Sequence, residues 1–375
     1  MPVIGPEEMA KAEAALESVR EEWLGREGVT AIDLGFKWRQ GQMTDELAVR
    51  VHVVKKKTEI ELSAGELFPK AIQGIPVDVI EASYAPQTLA NSRPEAAIEG
   101  RGRRFDVAPL GVSIGCRYST AGTLGAKVID RKSGREMILS NWHVLASRRN
   151  VEPDLPAWQP GWIDGGTHEA NTIATLSRSI LGPYDAAVAT LTGQRQVTSR
   201  TLEGRPIEDV AEPRLGMQLW KSGRSTGYTE GFVDGVKLTV PLSYNAAGVH
   251  LLHKVFRIVP VPGGRDQEIS IAGDSGSVWV DTLSGKAVGL HFAGEVGDTP
   301  EHALAHDLRP VLDELGVRLP AQDVPSERPP APSPRPAPLE PPEPGAPAYY
   351  PPRDTYYGDL RTRFQYLLKR LFSSK

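Results

Sequence analysis

Short apolar runs, separated by clusters of Gly, Asp, Asn and Ser, fill residues 109–319. Examples are Gly111–Tyr118, Thr123–Ile129 and Ala287–Phe292. Many short strands at such spacing are typical of an all-β sandwich or barrel. The segment His306–Leu315 has the pattern of a helix and would close the domain. The sequence therefore predicts a mainly β domain over this range.

The first 90 residues show a different pattern. Residues Glu7–Trp23 contain no Pro or Gly and consist largely of good helix formers, which predicts a helix. Three β-like runs follow at Gly28–Lys37, Leu47–Lys55 and Ile75–Glu81, and the second alternates apolar and polar positions as a half-buried strand does. We therefore predict a small α+β module over residues 1–90.

Residues 91–108 are polar and rich in turn formers, which predicts an exposed linker between the two domains. The linker contains a basic cluster at Arg101, Arg103 and Arg104. We interpret this cluster as part of a solvated connector, and the alternative is a processing site that frees the downstream domain.

Proline dominates the chain after residue 319. Of the 32 prolines, 14 lie between Pro320 and Pro352, which predicts an extended linker over residues 320–353. Residues 354–375 combine apolar residues at helical spacing with Arg and Lys, the pattern of a basic amphipathic helix. Residues 355–375 are expected to bind a partner protein or a membrane surface, or else to fold back onto the body or another subunit.

Composition and charge narrow the function classes. Hydrophobic residues make up 40% of the chain and charged residues 24%, and the net charge is −4. A general nucleic-acid binder needs an excess of Lys and Arg, so no nucleic-acid partner is expected. The single cysteine, Cys116, excludes an intrachain disulfide, and residues 1–30 lack the apolar segment of a signal peptide. These features predict a cytoplasmic protein.

A serine in the sequence Gly273-Asp274-Ser275-Gly276 carries the strongest chemical signal. Glycines on both sides allow a tight turn and leave space beside the hydroxyl. Such a turn can direct the backbone N–H groups of Gly273 and Ser275 at one point, where they would stabilise an oxyanion during acyl transfer. We therefore predict Ser275 as a nucleophile and these two N–H groups as its oxyanion hole.

A serine nucleophile needs a base, and the base needs a carboxylate that orients it. His143 follows the apolar run Glu136–Ser140, which would place its side chain at the lip of a core. Asp185 opens a run of small apolar residues and is our preferred carboxylate. Asp164, which lies in a Gly-rich turn, is the alternative.

The chain order His143, Asp185, Ser275 resembles that of the trypsin-like serine proteases, over roughly residues 108–319. The resemblance implies a chymotrypsin-like double β-barrel, a protein or peptide substrate and an ion pair at Asp274 that stabilises the oxyanion loop. Residues Lys221–Tyr228 also resemble a hairpin in the second barrel of bacterial members. Absence of disulfides fits an intracellular bacterial type.

The resemblance also implies a substrate pocket at Ile269, His291, Phe292, Ala293 and Gly294. Ile269 lies six residues before the nucleophile, where a carboxylate would select Lys or Arg, so trypsin-like specificity is disfavoured. The strand around His291 is similar to that of glutamate-specific bacterial proteases, which makes this histidine a candidate contact for a substrate carboxylate. A histidine buried in the barrel wall beside an apolar pocket is the alternative.

Two histidine pairs have the spacing of metal ligands, His250 with His253 and His302 with His306. No cysteine or carboxylate cluster in the sequence completes either pair, so neither a metal nor another cofactor is expected.

The N-terminal module, including Leu67–Glu81, resembles the region ahead of the protease domain in plant NARROW LEAF 1-type proteins and their bacterial relatives. This likeness implies a two-part protein and is compatible with a homo-oligomer. The leading hypothesis is a serine endopeptidase. The alternatives are a latent or inactive protease-fold scaffold, which acts by partner docking through the N-terminal module and the C-terminal helix, and an esterase with the same triad.

Overall fold

A computed structural model describes residues 4–39, 42–62, 66–88, 97–98, 100–152, 154–261, 268–296 and 300–320. The predicted Pro-rich linker beyond Pro320 and the predicted C-terminal helix lie outside these residues. Within the described ranges, no helix has both the length and the apolar character needed to cross a membrane.

The N-terminal part begins with helix α1, Pro6–Leu24, which covers the predicted helical stretch. Proline in the first turn costs no hydrogen bond, because the first backbone N–H groups of a helix have no intrahelical acceptor. Five strands follow, with the bounds β1 (Val29–Arg39), β2 (Gln42–Val53), β3 (Ala71–Ile72), β4 (Ile75–Glu81) and β5 (Tyr84–Pro86).

The central part of the chain contains short strands and two single-turn helices. The strands are β6 (Val107–Leu110), β7 (Ser113–Cys116), β8 (Gly122–Thr123), β9 (Ala126–Asp130), β10 (Glu136–Ser140), β11 (Pro156–Trp158), β12 (Thr172–Leu181), β13 (Asp185–Leu191) and β14 (Gln196–Thr201). The helices are α2 (Trp142–Leu145), between β10 and β11, and α3 (His168–Asn171), before β12.

The last described part contains eight strands and helix α4 (Leu308–Glu314), which falls inside the predicted closing helix. The strands are β15 (Glu208–Val210), β16 (Gln218–Gly223), β17 (Gly227–Ser243), β18 (Val249–Pro260), β19 (Val278–Asp281), β20 (Lys286–Glu295), β21 (Ala303–Asp307) and β22 (Val317–Arg318). The prediction of a mainly β fold is confirmed.

The described strands form two large sheets and one small one. An eight-stranded sheet has the order β22-β9-β10-β13-β12-β11-β7-β8. A twelve-stranded sheet has the order β16-β19-β20-β21-β18-β17-β1-β2-β4-β3, with β15 and β5 also paired to β20. Strands β14 and β6 pair separately. Strand β10 of the eight-stranded sheet leads to His143. In the twelve-stranded sheet, the loop that carries Ser275 directly precedes β19, and its Gly276 N–H donates to the backbone oxygen of His291 on β20.

The N-terminal strands belong to the same sheet as the C-terminal ones. Strand β1 pairs antiparallel with β17, and Gly35 lies opposite Gly235. A Cβ on Gly35 would lie 2.2 Å from the Arg50 guanidinium carbon, so the glycine makes room for that buried side chain. Hydrogen bonds thus run continuously across the predicted boundary between the first module and the protease-like region.

Two of the apolar cores follow the two large sheets. One is formed by side chains of the eight-stranded sheet together with α4, among them Leu139, Val188 and Val311. The other is formed by α1 and the twelve-stranded sheet, and Leu16, Trp23 and Trp279 belong to it. Burial of apolar surface on this scale is the main favourable contribution to folding, and it fixes the strands whose ends carry the polar residues described below.

Candidate active site

His143 lies on α2, directly after β10, and the other three residues of that helix are buried. Strand β10 pairs antiparallel with β13, with Ser140 opposite Ala187, which brings the start of β13 beside the helix. The Asn141 side chain donates to the backbone oxygen of Asp185 at 2.7 Å. The turn and the strand therefore hold His143 and Asp185 together through the backbone as well as through their side chains.

The two side chains make a short contact, with 2.5 Å between His143 Nδ1 and Asp185 Oδ2. The backbone N–H of His143 also donates to Asp185 Oδ1 at 3.2 Å. Burial alone would raise the pKa of Asp185, but the His143 imidazole and its hydrogen bond outweigh burial, so the pKa is lowered. An ionised Asp185 accepts a hydrogen bond from Nδ1–H, and the lone pair of His143 then lies on Nε2.

No hydrogen bond from the described residues reaches Nε2 of His143, although the side chain is only 6% exposed. The ring of Tyr244 lies 6.3 Å from the imidazole centroid to centroid, and burial raises the pKa of that phenol well above 10. A buried imidazole with one nitrogen on a carboxylate and the other unpaired has the arrangement of a general base.

Ser275 lies in a tight loop between Ile269 and β19. Gly273 and Gly276 have φ values of 100° and 96°, a region that L side chains rarely adopt. A Cβ on Gly276 would lie 2.1 Å from Ser140 Oγ and 2.4 Å from the backbone oxygen of Thr123. Both the positive φ and the lack of space for a Cβ therefore require glycine at position 276. The loop lies directly against the eight-stranded sheet, whose strand β10 leads to His143.

A buried ion pair stabilises the same loop. Lys221 Nζ lies 3.2 Å from Asp274 Oδ2, and both side chains are fully buried. The N–H groups of Ser225 and Thr226 donate to Asp274 Oδ1 at 2.8 and 3.1 Å, and that of Ile271 donates to Oδ2 at 3.1 Å. Burial would raise the pKa of Asp274, but Lys221 and these donors lower it. Lys221 thus supplies the partner for the ion pair that the resemblance implies at Asp274.

Ser275 Oγ donates a hydrogen bond to the backbone oxygen of Gln87 at 3.0 Å and lies 3.4 Å from the backbone oxygen of Phe292. The N–H of Gly273, one of the two predicted oxyanion donors, points to the same Gln87 oxygen at 3.4 Å. The predicted nucleophile and one predicted oxyanion donor therefore meet at a single carbonyl group of the chain itself. Gln87 is a site residue that the sequence analysis missed.

Four of the five predicted pocket residues lie on β20, beside this carbonyl. His291 Nε2 is 2.6 Å from Gln87 Oε1, and the backbone oxygen of Phe292 accepts from the Gln87 N–H at 3.2 Å. Ala293 and Gly294 pair with β5. The fifth, Ile269, has its side chain in the core of the twelve-stranded sheet, and the next residue, Ser270, makes the polar contacts with Gln87.

The alternative carboxylate, Asp164, is held elsewhere. Its two oxygens lie 2.7 and 2.8 Å from Arg224 Nε and Nη2, and Ser113 Oγ donates to it at 2.5 Å.

The prediction that Arg101 lies in an exposed linker is wrong. This residue is 5% exposed, because its guanidinium donates to Gly111 O and Ser222 Oγ and pairs with Glu203. Cleavage beside Arg101 would require these contacts to break.

Other residues with predicted metal spacing have local partners. His306 Nε2 accepts from the backbone N–H of Asp185 at 3.0 Å, and its ring stacks on Phe292 at 4.0 Å. His302 Nδ1 lies 2.6 Å from the backbone oxygen of Pro300. Within the described part of the chain, no group of three or more His, Cys, Asp or Glu side chains could hold a metal ion.

Comparison with known proteins gives one curated relative. The chain is similar to the protein NARROW LEAF 1 of rice, Oryza sativa subsp. japonica, with 25% identity over 285 residues. The aligned region covers 66% of this chain and 47% of the rice protein, so the chain spans about half the length of that relative. No family model matches the chain.

Solved structures that resemble the chain are chymotrypsin-like serine proteases. The Nocardiopsis protease is 19% identical, with a TM-score of 0.42, and covers 57% of this chain and 97% of its own. A glutamic acid-specific serine protease, which uses a histidine triad in substrate binding, is 18% identical, with a TM-score of 0.42 and coverages of 56% and 100%. The chymotrypsin of Cellulomonas bogoriensis is 15% identical, with a TM-score of 0.41 and coverages of 58% and 100%.

Proposed function

We propose that this chain is a serine endopeptidase that hydrolyses peptide bonds through Ser275, His143 and Asp185. The observation that carries the proposal is the convergence of the Ser275 hydroxyl and the Gly273 N–H on one peptide carbonyl oxygen, at 3.0 and 3.4 Å. The buried His143–Asp185 pair supplies the base that such a serine needs. Double-barrel topology, homo-oligomerisation and a cytoplasmic location stay predictions.

The first half of the reaction forms an acyl-enzyme. Ser275 Oγ attacks the substrate carbonyl carbon and loses its proton to His143 Nε2, while Asp185 stabilises the imidazolium through Nδ1–H. The N–H groups of Gly273 and Ser275 stabilise the oxyanion, and one such donor is worth roughly 10²–10³ in rate. Breakage of the C–N bond then releases the amine, which takes the proton from His143.

The second half regenerates the enzyme. Water donates a proton to His143 Nε2 as its oxygen attacks the acyl carbon, and the ester bond to Ser275 breaks as His143 returns the proton to Oγ. The products are a carboxylic acid and an amine. The Lys221–Asp274 pair acts through the loop, by holding Gly273 and Ser275 in place, and is therefore a positioning pair rather than part of the reaction.

The test is hydrolysis of an internally quenched peptide library by the full chain, with product masses identifying the cleaved bonds. Ser275→Ala is expected to lower turnover by roughly 10⁶-fold, because the nucleophile is gone. Ser284→Ala, in the exposed β19–β20 turn, is the matched control and should cleave at the wild-type rate. Equal turnover by Ser275→Ala and the wild type would contradict the proposal. An activity on esters with none on amides would favour the esterase alternative.

A further inference from the structure

Strand β5 lies along the predicted pocket strand in the manner of a bound peptide. It pairs antiparallel with β20, with Pro86 opposite Ala293 and Ala85 opposite Gly294. The N–H of the next residue, Gln87, donates to the backbone oxygen of Phe292 at 3.2 Å. An extended segment that adds to a sheet edge and places alternate side chains in pockets is a common mode of peptide recognition.

The side chain of Gln87 has a partner for each polar atom. Its Oε1 lies 2.6 Å from His291 Nε2, and its Nε2 donates to the backbone oxygen and the hydroxyl of Ser270 at 3.1 and 3.2 Å. Burial, with the positive charge of Lys221 second, lowers the pKa of His291 to about 3. His291 is therefore neutral near pH 7, and its Nε2–H donates to the glutamine oxygen.

This pocket is complementary to an amide rather than to a carboxylate. The backbone oxygen of Ser270 can only accept a hydrogen bond, so the group that faces it must be a donor. A glutamate would present an oxygen to that carbonyl, and the neutral His291 would not offset its charge. The expected contact between His291 and a substrate carboxylate is thus replaced by one with an amide.

The carbonyl group of Gln87 lies at the nucleophile. Ser275 Oγ is 3.0 Å from its oxygen, and the N–H of Gly273 is 3.4 Å from the same atom. The Thr88 N–H donates to the Pro86 oxygen at 2.9 Å, so the chain turns at this bond. Backbone pairing, side-chain selection and the position of the carbonyl therefore all single out the bond between Gln87 and Thr88.

We propose that the Gln87–Thr88 peptide bond is a self-cleavage site of this protein, and that the same pocket selects glutamine on the acyl side of its substrates. The proposal rests on the proposed function. Ser275 Oγ bonds to the Gln87 carbonyl carbon, the bond from that carbon to Thr88 N breaks, and His143 passes the serine proton to the Thr88 amine. Water then hydrolyses the ester, which leaves a Gln87 carboxylate and a free Ser275.

Cleavage would leave the two pieces associated. Strand β1 pairs with β17, and α1 packs in the same core as β19 and β20, so residues 4–87 hold many contacts that do not depend on the 87–88 bond. The cut is therefore expected to be invisible under native conditions and visible after denaturation.

The test is a time course of intact mass, measured under denaturing conditions on the freshly purified full chain. We expect two products, one ending at Gln87 and one beginning at Thr88, with a first-order rate that does not depend on protein concentration. Ser275→Ala should remain whole and should not be cut when mixed with the wild type. Gln87→Glu should slow the cut at least tenfold, whereas Gln194→Glu, the same change on an exposed turn, should leave it unchanged.

The outcomes separate this proposal from the proposed function. Gln87→Ala removes the side-chain contacts of residue 87 with His291 and Ser270, which weakens the binding of β5 beside Ser275. That variant is therefore also assayed on an added peptide containing glutamine. Cleavage of that peptide, with the 87–88 bond of the wild type intact throughout, would overturn self-cleavage and keep the endopeptidase. Cleavage of the matched peptide with glutamate at a rate equal to or above that with glutamine would overturn the pocket assignment. No cleavage of either kind by any variant would overturn the proposed function.

Discussion

Two buried histidine–aspartate pairs differ in what the second imidazole nitrogen meets. His143 Nδ1 lies 2.5 Å from Asp185, and His52 Nε2 lies 3.1 Å from Asp33. The other nitrogen of His143 has no hydrogen-bond partner in the described residues. That of His52 contacts the hydroxyl of Tyr84.

The carboxylates of Asp185 and Asp33 also differ in the side chains that contact them. The side chain of Asp185 contacts the imidazole of His143, whereas that of Asp33 also pairs with the fully buried Arg50, which in turn lies 2.9 Å from Asp234. Burial would raise the pKa of Asp33, but Arg50 and His52 lower it strongly. A His–Asp pair has the arrangement of a base where its far nitrogen is unpaired, and that of a structural link where its far nitrogen contacts a hydroxyl and its carboxylate pairs with an arginine.

The two pairs are connected through the strand in the cleft. Tyr84, which contacts His52, begins the strand that carries Gln87 to Ser275. Under the proposed function, the His143–Asp185 pair would activate Ser275, and the His52–Asp33 pair would help to hold the strand that Ser275 attacks.

The largest expected effect comes from Asp185→Asn. Asparagine has no negative charge and can present its N–H₂ group to Nδ1, which favours the wrong tautomer of His143, so turnover should fall by roughly 10⁴-fold. The measurement is turnover of the best peptide from the library. A fall of less than tenfold would show that Asp185 does not orient the base.

The corresponding change in the other pair should act on stability. Asp33→Asn leaves Arg50 with one carboxylate fewer in a fully buried site, which is expected to cost about 3–5 kcal/mol of unfolding free energy. Denaturant unfolding measures this loss. Because the two large sheets are expected to stay intact, turnover per folded molecule should remain within a few-fold of that of the wild type. A stable but inactive Asp33→Asn protein would contradict the assignment of roles.

Acid should destabilise the protein through its buried neutral histidines. Burial lowers the pKa of His306 to about 4 and that of His291 to about 3, from an ordinary value of 6.5, and also lowers those of His52 and His302. At these rings the unfolded chain therefore binds more protons below pH 6.5, so their contribution to stability is full above that pH and falls as pH drops towards 4 and 3.

The measurement is Tm from pH 8 down to pH 5, above the range in which most carboxylates protonate. His302→Gln keeps a donor for the Pro300 oxygen and removes one titrating ring, so its Tm should fall less steeply. An equally steep fall of Tm in His302→Gln and in the wild type would contradict the buried neutral state of this ring, because the raised pKa values of Glu301 and Asp307 affect both proteins.

The smallest effect is expected from Tyr84→Phe. It removes the hydroxyl that His52 contacts and keeps the ring, at a cost of about 1–2 kcal/mol for an unpaired buried nitrogen. Self-cleavage at residue 87 should slow by several-fold, because β5 is held less firmly, while cleavage of an added peptide should be unchanged or faster. Slower cleavage of the added peptide would place Tyr84 in the catalytic site rather than in the strand anchor.

Structural features that depend on residues close together in the chain could be predicted from the sequence. The Gly-Asp-Ser-Gly loop, the strand before His143 and the helix Pro6–Leu24 could be predicted because turn glycines, apolar runs and helix formers act within a few residues. Asp185 was preferred over Asp164 for the same reason, and the structure brings only Asp185 of these two into contact with His143.

Contacts between distant segments were not predictable from local patterns. Gln87 and Ser275 are 188 positions apart, and the segment Tyr84–Thr88 contains no motif that predicts a contact with the Ser275 loop. The burial of Arg101 depends in the same way on Glu203, which lies in another part of the chain. The pairing of β1 with β17 likewise required the tertiary fold, because nothing in either strand alone specifies its neighbour.

The most direct test of the account is to map the serine that reacts with a fluorophosphonate probe. The full chain and its Gln87→Ala variant would be labelled, digested and analysed by mass spectrometry, with Ser275→Ala and Asp33→Asn alongside. The account predicts an adduct on Ser275 in wild type and in Gln87→Ala, stronger in the latter because the cleft strand is weakened, retained in Asp33→Asn and absent from Ser275→Ala. An adduct on another serine, or none on Ser275 in any of these proteins, would contradict it.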